Sequence, residues 1–90
     1  SSDDANLAAA EGHVGVIREL SGYEIHCTSD GADLAAMNGF SSVIWELRAQ
    51  GIHCTSEGAD LAAMNGYHHV VQDLERHGIY RSAITAGDTA

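Results

Sequence analysis

A step of 27 residues recurs along this chain and limits it to repeated packing units. Leu7, Leu34 and Leu61 keep that step of 27, as do Gly12, Gly39 and Gly66, and Val16, Val43 and Val70. Leu20, Leu47 and Leu74 follow, then Ile25, Ile52 and Ile79. The stretch GADLAAMNG stands unchanged at Gly31–Gly39 and Gly58–Gly66, and His26-Cys27-Thr28-Ser29 returns as His53-Cys54-Thr55-Ser56. Fixed self-similarity of this kind marks units that bury apolar surface only by stacking on their neighbours. Three units result, Asp4–Asp30, Gly31–Glu57 and Gly58–Ile84 (4–30, 31–57 and 58–84), within one repeat domain, 1–90. Asp88 then replaces the motif leucine, and residues 85–90 form a small polar tail.

Each unit is predicted to hold two helices. In the second unit the first helix runs from about Gly31 to Asn38, with Ala32, Leu34, Ala35, Ala36 and Met37 apolar nearly all round, as in a short buried helix. Gly39 suits a left-handed terminating position. The second helix runs from Ser41 or Ser42 to about Gln50, with Val43, Ile44 and Leu47 as one stripe and Gly51 as its stop. In the link that follows, Thr55 and Ser56 are the candidate N-caps of the next unit.

Composition agrees with a helical array. The 90 residues contain no proline and few aromatics, with alanine prominent, so the packing must be close. Thirteen acidic against four basic residues give a net charge of −9. That balance argues against nucleic acid and an anionic membrane surface as partners, since both reward clustered Lys and Arg. It leaves solubility or a basic partner as its meaning. No apolar run reaches the length of a membrane span, and no signal-peptide pattern is present. The chain starts at Ser1 rather than Met, as a processed or excised piece would.

The segment Leu7-Ala-Ala-Ala-Glu-Gly-His-Val-Gly-Val-Ile-Arg-Glu-Leu resembles the helical pair of ankyrin repeats, in which a Leu-Ala-Ala-x-x-Gly-His pattern precedes an apolar stripe and a closing leucine. Ala35-Ala36-Met37-Asn38-Gly39 and Ala62-Ala63-Met64-Asn65-Gly66 keep that resemblance. Ankyrin units run about 33 residues, and the shortfall here lies in the link between helix pairs. The family's Thr-Pro-Leu-His opening is replaced by Asp30-Gly31-Ala32-Asp33 and Glu57-Gly58-Ala59-Asp60. The resemblance implies an all-α chain, an α-solenoid of about three ankyrin-like helix pairs without the projecting β-hairpin fingers.

Candidate chemistry is sparse. The His-Cys pairs sit at one place in two neighbouring units, where helices stacked roughly 8–10 Å apart keep them from sharing a tetrahedral metal or a disulfide. Ile and Cys of each link are expected to fill the seam between units, with both thiols reduced, as in an intracellular, cytoplasmic protein. Asp33 and Asp60, with Asn6 in the same register, are expected to complement their own helix N-termini. Glu19, Glu46 and Asp73 read as a solvated acidic face. His68, His69 and His77 read as exposed, with His77 in the last turn of its helix. No catalytic constellation or phosphate-cradling loop is present, so no catalysis, cofactor or metal is expected.

Specificity is expected where the units differ. The candidate interaction surface comprises Arg18, Tyr23, Phe40, Trp45, Arg48, Tyr67, His68, His69 and Gln72. Trp45 stands where the other units carry Arg18 and Gln72, and tryptophan is a favoured interface anchor. The chain reads as a non-catalytic protein-interaction scaffold for a protein partner, a basic one if charge selects it. The competing reading is a structural module in which copies of the chain join head to tail into oligomers or filaments, covering the open N-terminal face.

Overall fold

The structure is a computed structural model, and it describes residues 1–82. The last residues assigned to the third unit and the tail predicted at 85–90 lie outside the described residues. Among those residues the protein is all-α, with six helices: α1 (Ser2–Ala10), α2 (Val14–Gly22), α3 (Ser29–Met37), α4 (Ser41–Ala49), α5 (Ser56–Met64) and α6 (His68–Arg76). They form three pairs, α1/α2, α3/α4 and α5/α6. The first helices pack in order, α1 on α3 and α3 on α5, and α2 packs on α4. No strand occurs among the described residues, and the links between pairs are short.

Threonine sets the helix starts. Thr28 and Thr55 have extended backbone, and their hydroxyls accept the backbone N–H of Asp30 and Glu57 at 3.2 Å each. The first helices therefore begin at Ser29 and Ser56, two residues ahead of the glycines expected to open them, and Asp30 and Glu57 lie in the first turn, where negative charge is favourable. Gly31 and Gly58 are buried within the helices.

The helix stops follow the expected glycines. Gly39 has φ 77°, and the Gly39 and Phe40 amides return to the carbonyls of Ala36 (3.2 Å) and Ala35 (2.9 Å). That paired closure satisfies carbonyls the helix would otherwise orphan. Gly12, Gly51, Gly66 and Gly78 share the positive φ. The counterpart of Gly51 and Gly78 in the first unit is Glu24, held at φ 62°.

The core is a seam of small side chains. Ala5, Ala8, Ala9, Ala32, Ala35, Ala36, Ala59 and Ala62 are buried between the first helices, and Ile17, Val43, Ile44, Leu47, Val70, Val71 and Leu74 are buried from the second. Cys27 and Cys54 are also buried, with Ile25 and Ile52 packed against the cluster, as the link was expected to behave.

Candidate functional site

Most of the polar side chains in the repeat register join one unit to the next. Asp33 is buried, and its carboxylate accepts the Thr55 backbone N–H (2.8 Å) and the Thr55 hydroxyl (2.6 Å). Asn6 occupies the same place in the first unit. Its amide oxygen accepts the Thr28 N–H, and its Nδ2 donates to the Thr28 hydroxyl, both at 3.0 Å. A threonine hydroxyl can donate or accept, so one frame takes either partner. Asp60 accepts the Ser82 N–H at 2.9 Å. These side chains thus hold the next unit's link rather than complementing their own helix N-termini. The signal was present in the sequence: Asn6, Asp33 and Asp60 keep a constant separation of 22 from Thr28, Thr55 and Ser82.

Two further ladders run backward along the row. Asn38 and Asn65 donate to the carbonyls of Ala10 (3.0 Å) and Met37 (2.8 Å). The thiols of Cys27 and Cys54 lie 3.3 Å from the carbonyls of Ala5 and Ala32. Burial pushes the Cys27 thiol up, and burial with the nearby Asp33 carboxylate pushes the Cys54 thiol up to about 12. Both are free, neutral seam fillers. No group of three or more His, Cys, Asp or Glu side chains close enough to hold a metal ion exists among the described residues, and no pocket opens there.

The acidic register of the second helices is only partly a solvated face. Arg18 reaches Glu46 through Nε (3.2 Å) and Nη2 (2.9 Å), and Arg48 reaches Asp73 at 2.7 Å. Hydrogen bonds from Gln50 and Arg18 hold Glu46 below the usual carboxylate range. Burial of Asp73 opposes its charge, yet the Arg48 contact outweighs it and the carboxyl is lowered, helped by His77 and the Trp45 side chain. Glu19, in the same register, is exposed.

The candidate surface residues divide accordingly. Arg18, Trp45 and Gln72 occupy one register on α2, α4 and α6 and are all exposed, Trp45 at 54%. Tyr23, His68 and His69 are exposed as well. Phe40 and Tyr67 are half-buried, with their rings over Gly12 and Gly39, and Tyr67 meets His69 edge-on at 6.0 Å. Arg48 is held by Asp73, with 20% of its side chain exposed. The structure therefore separates seam aromatics from an outward row centred on Trp45. No helix among the described residues is long and apolar enough to cross a membrane. No family model, curated protein or solved structure matches the chain.

Proposed function

We propose that this chain is an α-solenoid of three ankyrin-like helix pairs that serves as a non-catalytic protein-interaction scaffold in an intracellular setting. The observation that carries this reading is Trp45, half-exposed on a helix whose other face is fully packed through Val43, Ile44 and Leu47. At 54% exposure much of the indole stands open to solvent. Tryptophan offers a large rigid ring on only two rotatable bonds, the property that makes it an anchor. Arg18 and Gln72 extend the row, and the net charge of −9 favours a basic partner.

A pull-down with wild-type and W45A chains tests this. W45A should retain its helix content and sedimentation while capture of its partner drops at least about tenfold, the loss of a hot-spot residue worth roughly 1.4 kcal/mol or more. Undiminished capture by W45A sinks the proposal. Head-to-tail self-assembly is the competing reading, favoured by apolar side chains exposed at both ends of the row: Leu7 and Val16 at one, Met64 at the other.

A further inference from the structure

We infer that Glu46, next to Trp45, is the docking point for an arginine side chain of the protein partner, and that the chain's own Arg18 occupies this point as an exchangeable stand-in until the partner displaces it. This inference deepens the scaffold reading and rests on it.

The structure shows the chemistry that this point takes, because a guanidinium is seated on it. Arg18 donates to Glu46 through Nε at 3.2 Å and Nη2 at 2.9 Å. Both bonds fall on one oxygen, Oε1, whereas a guanidinium free to align with a carboxylate makes a side-by-side pair on both oxygens. The other oxygen, Oε2, accepts Gln50 Nε2 at 3.0 Å, so the carboxylate stays in place when Arg18 leaves. The amide oxygen of the same Gln50 is buried and receives no hydrogen bond among the described residues, so the point is also short of a donor. An arginine entering from outside brings several N–H donors and has no tether to α2.

Exposure separates this bridge from its counterpart. Arg48 and Asp73 keep 20% and 16% of their side chains exposed, a joint covered on both sides. Glu46 is as well covered, at 18%, but Arg18 is 68% exposed, so water already surrounds the cation that must leave. The helix that carries Arg18 is also the loosest of the three. Gly15 and Gly22 stand in α2 where α4 has Ser42 and Ala49, and nothing lies within 4 Å of the Cβ that either glycine would gain. Packing therefore does not require them, and each weakens the helix. Trp45 follows Arg18 in the outward row and precedes Glu46 in the chain, so an arginine on Glu46 brings the partner's flanking side chains to the exposed indole.

Trp45 is the chain's one tryptophan, so its fluorescence reports on this point. The full chain is titrated with an acetylated, amidated Leu-Arg-Leu peptide and with its citrulline counterpart, which keeps the shape and loses the charge. The arginine peptide should bind, and E46Q should weaken it at least about tenfold, the loss of an aligned charge-assisted pair. R18Q should tighten it roughly two- to fivefold, which is as much as a screened ion pair can compete. R76Q makes the same charge change at an exposed arginine of α6 and should bind as wild type. In NMR of the labelled chain, the Arg18 Nε signal should move to the free-arginine position at saturation. Circular dichroism checks that the variants stay folded. Equal binding of the citrulline peptide, undiminished binding by E46Q, an equal gain in R76Q and R18Q, an Arg18 signal that does not move, or no binding by R18Q overturns the inference. In the pull-down, capture lost by W45A yet unchanged in E46Q would sink this inference and leave the scaffold reading standing.

Discussion

At the scale of single residues, glycine serves two different purposes in the second and third units, and substitution separates them. Gly39 and Gly51 adopt left-handed backbone, where a side chain is strained wherever it points. Gly31 is ordinary helix, and glycine is needed there only because Asn6 lies against it. Gly31→Ala gains helix propensity yet overpacks a seam of fixed backbone, so it should destabilise by about 1–3 kcal/mol. Glu24 is the converse case, a side chain at φ 62° where the other units have Gly51 and Gly78. Glu24→Gly should stabilise by about 0.5–1 kcal/mol, since relief of left-handed strain exceeds the extra freedom glycine gives the unfolded chain. Urea melts of the two variants should thus move in opposite directions, and a shared direction would refute this division of roles.

At the scale of helices, the two arginine bridges look alike in sequence and differ in burial. Arg18 is 68% exposed at its side chain, so its contact with Glu46 is screened and Arg18→Ala should cost less than about 1 kcal/mol. Arg48 and Asp73 are 20% and 16% exposed, and removing the arginine leaves a partly buried carboxylate with only His77, 3.8 Å away, near it, a loss of about 1–3 kcal/mol. The pair also fixes a sign for pH. Asp73 is lowered in the folded state, so its contribution is fully present above the unfolded carboxylate value near about 4 and disappears as pH falls through the lower folded value. The wild-type to Arg48→Ala stability difference should shrink as pH falls below about 4; a difference that stays unchanged down to about pH 2 would count against the bridge. Helix number and the glycine stops were legible in the sequence because each is local, set by the apolar stripe and by positive φ. Thr55 is the N-cap that the link offered, yet the start placed at Gly31 fell two residues late, because Gly31 reads as a boundary when its cause, the Asn6 side chain, lies on another helix. The carboxylate register was misjudged for the same reason, since Glu46 and Asp73 are shielded by arginines from the neighbouring unit.

At the scale of the whole molecule, stability in a row of units is the sum of each unit and its joints, so the same residue type should matter differently by position. Leu47 has no exposed surface, whereas Leu7 is 59% exposed. Leu47→Ala removes a fully buried side chain and leaves a cavity where units meet, at a cost of about 2–5 kcal/mol. Leu7→Ala should cost less than about 1 kcal/mol in the free chain, because little of that side chain has left water. Urea melts should therefore move far more for Leu47→Ala than for Leu7→Ala. Equal cost for the two substitutions in the free chain would mean that the first unit's face is already covered.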